Sequence, residues 1–193
     1  MIKVLAPLAW LTPQRLAHEK CRGSVTPLSA EYLHFFAAGG TLSGVSVQNI
    51  ADALKQKGQP IDADCPYLST DPPRGWKPRA RLTVYRRNSQ ERNGSNLREI
   101  EKLIRGEQVP ILGIALTNGF FAPTPPWNIS SDGPLRGFHA VVGVGMGKLN
   151  NTQSVMIRNS WGLDWADDGY AWLDAAYISR HLKKVLVLTD EVI

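Results

Sequence analysis

An α+β fold is predicted by two features of this chain. Its first third carries apolar side chains at helical spacing behind Ser or Thr caps, and its second half carries short apolar runs bounded by Gly, Pro and Asn. The order matters as much as the content. Helices come first and antiparallel strands later, with no internal repeat or low-complexity tract.

Taken in chain order, Thr12-Pro13 reads as an N-cap with proline at the first helical position, opening a helix to about Lys20. Ser29 caps a second helix, with Leu33, Phe36 and Ala37 on one face and Gly39-Gly40 ending it. Ser46 caps a third. There Val47, Ile50, Ala51 and Leu54 recur at i, i+3, i+4 and i+7, and Gly58 is the stop. Asp71-Pro72-Pro73 breaks the pattern, and Asn96 with Glu99 forms a capping-box-like start for a short helix closed by Gly106. Strands are predicted at about 110–116, 138–146, 154–158, 170–173 and 184–188. The expected divisions are a helical segment 1–70, a basic connection with a short helix 71–109, and a strand-rich segment 110–193.

The 193 residues, 43% hydrophobic with six tryptophans, mark a globular chain, and no apolar stretch is long enough to span a bilayer. The start resembles a secretory leader only faintly, since its apolar run is short and contains Pro7. With two cysteines in a chain this long, cytoplasmic location is the expectation and secretion the lesser one. The net charge of +5 is concentrated in Arg74, Lys77, Arg79, Arg81, Arg86, Arg87 and Arg92. A solvated connection explains this run most simply. An acidic protein partner suits it better than nucleic acid, because no nucleic-acid module accompanies it.

Chemistry concentrates between Arg136 and Leu173. His139 opens a glycine-punctuated apolar strand, and Asn159 ends the next one before a tryptophan-rich turn. Two neighbouring strands would set the imidazole beside the carboxamide, the base-and-orienter half of a nucleophilic triad. Gly143, Gly145 and Gly147 are no dinucleotide fingerprint, since no helix opens after them, and close packing is their expected role. Cys21, flanked by Lys20 and Arg22, reads as a loop thiol, and Cys65 before Pro66-Tyr67 reads as a small packing residue. No metal signature and no cofactor motif is present, so none is expected.

The segment His139-Ala140-Val141, with Asn159-Ser160-Trp161-Gly162, Trp165 and Gly169-Tyr170, closely resembles the papain-like cysteine peptidases. Ala17-His18-Glu19 and Pro27-Leu28-Ser29-Ala30-Glu31-Tyr32-Leu33 resemble bacterial members of that family. The resemblance implies a two-lobe fold, with a helical left lobe, a β-barrel-like right lobe and a substrate cleft between them. It implies His139 as general base, Asn159 as its orienter and Trp161 as the indole shielding the pair. Gly44 matches, loosely, a glycine whose backbone pairs with bound peptide. Ala166 stands where the family has glycine.

The family spacing places the nucleophile slot at Ala9, and Lys3 stands where the family has an oxyanion-hole glutamine. A helix starting at Pro13 would also leave residue 9 off its positive end. These departures favour a natural pseudopeptidase that binds a peptide or protein partner through the cleft. The alternatives are an active cysteine endopeptidase whose residue 9 has been changed to alanine, or a piece whose true nucleophile lies upstream.

Overall fold

The structure, a computed structural model, describes residues 26–40, 45–68, 75–92 and 96–192. The candidate helix at 12–20, with Lys3, Ala9, Cys21 and Gly44, lies outside the described residues. Two compact units make up the chain: residues 1–90 with 188–193, and residues 91–187.

In the first unit, α1 (Ala30–Ala37) and α2 (Val47–Gln56) start where their caps require. The Ser29 hydroxyl accepts from the Tyr32 N–H and that of Ser46 from the Asn49 N–H. Leu28, just before α1, Leu33 on α1, and Ile50 and Leu54 on α2 are buried. The buried face of α1 is rotated from the expected one. Leu33 and Ala37 are buried, but so are Glu31 and His34, whereas Phe36 is only half-buried. Gly58 ends α2 at φ +70°, and a Cβ there would lie 2.8 Å from the Tyr85 carbonyl oxygen, so only glycine fits.

The basic stretch contains an unexpected strand, β1 (Arg86–Glu91), which neighbours the C-terminal part of β6 (Leu182–Val192). Arg87 is therefore not solvated. Its guanidinium is buried, donates to the Thr189 carbonyl and lies 3.9 Å from the Glu191 carboxylate. The polar run Arg86 to Glu91 has no apolar alternation, and backbone pairing alone makes it a strand.

In the second unit the antiparallel strands β2 (Ile111–Thr117), β3 (Leu135–Leu149), β4 (Thr152–Arg158) and β5 (Tyr170–Asp174) follow β6 in the order β6-β2-β3-β4-β5. All seven residues of β2 are buried, which is why it reads as an unbroken apolar run rather than an alternating one. Asn150 and Asn151, both at positive φ, form the two-residue turn that joins β3 to β4. The glycines of β3 divide. A Cβ at Gly147 would strike the Trp172 ring at 2.9 Å and one at Gly143 would meet Pro110 at 3.1 Å, but one at Gly145 would make ordinary contact.

Two helices pack on this sheet. α3 (Leu97–Arg105) begins with Asn96 accepting from the Glu99 N–H and buries Ile100 and Leu103. α4 (Ala175–His181), which the sequence reading passed over, is capped by Asp174 accepting from the Tyr177 N–H. Its Tyr177 is fully buried and donates its hydroxyl to the Ala115 carbonyl. Among the described residues, no helix is long and apolar enough to cross a membrane.

Candidate functional site

Register brings the two polar candidates together. In β3, His139 pairs with Ile114 of β2, while Val142 pairs with Arg158, the last residue of β4. Continuing that pairing one step sets Asn159 opposite Val141, two residues from His139 and on the same face of β3. The Asn159 N–H donates to the Gly169 carbonyl, which holds the strand end in place. The outcome is a buried contact of 2.8 Å between His139 Nε2 and Asn159 Oδ1.

Which atom donates follows from a third group. The Ser160 backbone N–H donates to the same Asn159 Oδ1 at 2.8 Å. An N–H cannot donate to the NH₂ side of a carboxamide, so this atom is the oxygen and the amide cannot be flipped. His139 Nε2 must then carry a hydrogen and donate. In the neutral ring the lone pair is left on Nδ1, which makes Nδ1 the proton-accepting atom.

Burial holds the His139 imidazole below its ordinary pKa, because a cation in this setting loses hydration. The hydrogen bond to Asn159 opposes that shift without cancelling it. Burial thus favours the neutral ring, an oriented imidazole with its accepting nitrogen defined.

Aromatic rings pack against the imidazole. Trp161 lies 5.2 Å from the imidazole, tilted by 40°, and Phe120 meets it edge-on at 5.9 Å. Phe120 also packs on Trp161 at 5.3 Å and on Trp165 at 4.9 Å, and the Trp165 indole N–H donates to the Phe120 carbonyl. Phe120 is wholly buried, whereas its neighbour Phe121 is half exposed and packs on Trp161 at 5.4 Å. Phe138, just before His139, is 75% exposed. Phe120 and Phe121 were not singled out from the sequence. The signal available was two aromatics directly after the Asn118-Gly119 turn that ends β2, and local spacing does not say that this turn folds onto a strand some twenty residues away.

The remaining candidates divide as follows. Trp161 lies at the site, whereas Ala9 and Gly44 are outside the described residues. Cys65 belongs to the first unit and is buried. Burial pushes its thiol up; a hydrogen bond with Ser29 opposes this, and the charges of Glu31 and Asp62 add to it. Such a thiol is a packing group, not a nucleophile. Ala166 sits at φ +52°, the left-handed region that glycine adopts without strain. Among the described residues, no group of three or more His, Cys, Asp or Glu side chains could hold a metal ion.

Comparison with known proteins bears on the family and the fold. A family model described as papain family cysteine protease matches residues 38–184. A cathepsin B-like cysteine proteinase of Haemonchus contortus is 53% identical over 38 residues, which is 20% of this chain and 11% of that protein. A cathepsin L-like proteinase of Fasciola hepatica is 26% identical over 132 residues, 66% of this chain and 39% of that protein. The matched segments thus span under two fifths of these curated relatives. Among solved structures, xylellain, a cysteine protease from Xylella fastidiosa, superposes with a TM-score of 0.80 at 20% identity, over 97% of this chain and 80% of the other. The bromelain protease of Ananas comosus superposes with a TM-score of 0.76 at 16% identity, over 97% and 89%. At such identities the likeness concerns the fold.

Proposed function

The chain belongs to the papain family of cysteine proteases, and on that premise we propose that it is a pseudopeptidase. In this reading it recognises a peptide or protein partner on the surface around His139, Asn159 and Trp161, and does not cleave it. The observation that carries the reading is the family spacing, which sets Ala9 at the nucleophile position with Lys3 in place of the oxyanion-hole glutamine. A methyl group cannot attack a carbonyl. Loss of the nucleophile costs about 10⁶ in kcat in a serine peptidase of comparable mechanism, and a neutral imidazole does not restore it.

The second reading is an active cysteine endopeptidase whose native residue 9 is cysteine. It draws on the 2.8 Å His139–Asn159 contact and the locked amide, which are the positioning such chemistry needs. The thiolate would attack the scissile carbonyl, and His139 would protonate the leaving amine.

Labelling with a papain-directed epoxide peptide separates the two readings. The chain as written is expected to stay unlabelled and to turn over no peptide above background. If Ala9→Cys labels, and Ala9→Cys with His139→Ala does not, a single residue switches an otherwise intact site. Turnover by the unaltered chain that survives Cys21→Ser and is lost in His139→Ala would overturn the pseudopeptidase reading.

A further inference from the structure

The first unit carries a second surface that the His139 reading does not use. Along α1, Tyr32, Phe35 and Phe36 face away from the buried side of the helix, and all three are half-buried. They form a connected row. Tyr32 packs on Phe36 at 4.8 Å, Phe35 on Phe36 at 5.2 Å, and Trp76 edge-on against Phe35 at 5.6 Å. Trp76 thereby seats the start of the basic stretch on α1.

Beside this row lies an open depression of about 400 Å³ between the end of α1 and α2. Buried Ala37 and Ala53 line its bottom and Phe36 one wall, while exposed Asp52, Gln56 and Lys57 stand on its rim. The Lys57 ammonium lies 5.6 Å above the Phe36 ring. Arg86 donates to the Gln56 carbonyl at 3.3 Å, which adds a second cation at that end. In this unit Lys55, Lys57, Lys77, Arg79 and Arg81 are exposed, against the one exposed carboxylate of Asp52 among the described residues.

We propose that this groove docks an acidic peptide segment of a partner protein, with an apolar side chain on Phe36, Ala37 and Ala53 and a carboxylate on Lys57. The apolar bottom supplies burial, and Lys57 with Arg86, on a unit whose exposed charged side chains are mostly cations, selects the sign of the partner. Asp52 suits the N–H donors of a peptide backbone. Single-stranded RNA, the other polymer drawn to bases and aromatics, fits less well. RNA needs parallel, open ring faces for successive bases, whereas these half-buried rings are turned against one another at interplanar angles of 54° to 88° and offer no such platform.

The inference is independent of what His139 does. Its test is an amide-detected NMR titration of the full chain with acetyl-Glu-Glu-Phe-Glu-Glu-amide, with the same peptide carrying Lys for Glu, and with a short oligouridine. The acidic peptide is expected to shift amides of α1 and α2, and Lys57→Glu to weaken it roughly ten-fold. The same variant should bind the Lys peptide more tightly than the unaltered chain does, a gain that misfolding cannot produce. No shifts at millimolar peptide, shifts confined to β3 and β4, insensitivity to Lys57→Glu, or tighter oligouridine binding at these amides would each overturn the proposal.

Discussion

Phe120 and Phe36 each stand in a row of aromatic rings, on different scaffolds. Phe120 follows a strand whose register is fixed on both sides, and it is closed in by Trp161, Trp165 and His139 until no surface remains. Phe36 rides on the outward side of a helix of only eight residues, and its ring keeps contact with solvent. Sheet pairing over-determines the first row, because a one-residue slip would turn His139 and its neighbours to the other face. Nothing comparable restrains the second. The same ring type serves as a wall in one unit and as a surface in the other, and exposure decides which.

Truncation sharpens that contrast most strongly. Phe120→Ala is expected to cost about 3–5 kcal/mol, because the cavity would open among rings that cannot collapse into it. Phe36→Ala should cost about 1 kcal/mol, measured for both by urea unfolding at neutral pH. Equal costs would mean that the outward row of α1 is core, and the docking groove would lose its argument.

A smaller effect is expected from pH. The folded-state pKa of His139 lies below its unfolded value, so between the two the unfolded chain holds the extra proton. Stability is therefore full above the unfolded pKa and declines as pH falls through it toward the folded one. The slope is at most about 1.4 kcal/mol per pH unit for this single proton. Melting curves between neutral and mildly acid pH should show this decline, and His139→Gln should flatten it. Nitrogen-detected NMR of the ring should find the hydrogen on Nε2 at neutral pH, and Asn159→Ala should release that preference. A ring that is protonated above neutrality would contradict both expectations.

The smallest effect concerns the turn after Trp165. Ala166 holds a left-handed φ of +52°, which a Cβ disfavours by about 1 kcal/mol. Ala166→Gly removes that strain but gives up some packing against the core and adds unfolded-state freedom. A net gain of roughly 0.5 kcal/mol in thermal unfolding is the expected balance, and a loss would show that the methyl contact matters more.

Much of this could be read from local chemistry. The caps at Ser29, Ser46 and Asn96 each placed a helix start correctly, since a side-chain oxygen bonding a nearby N–H is a local event. The apolar run at 110–116 announced the strand that forms at Ile111–Thr117, and the structure adds that it is buried throughout. α4 escaped notice because seven residues are too few for a helical period to emerge, although its Asp174 cap was there to be read. β1 escaped for a deeper reason. A sequence of Arg, Arg, Asn, Ser, Gln and Glu has no strand pattern of its own and becomes a strand only because β6 lies beside it.

The candidate site divides along the same line. Sequence by itself determined that His139 and Asn159 belong to one motif, because residue type and spacing are written in the chain. Only the tertiary structure decided which imidazole nitrogen carries the hydrogen, since that depends on the Ser160 N–H reaching the Asn159 oxygen. Only the tertiary structure placed Phe120 against the imidazole and left Phe36 at the surface. Hydrogen-bond direction and burial are set by atoms far apart in the chain, and local pattern does not encode where those atoms meet.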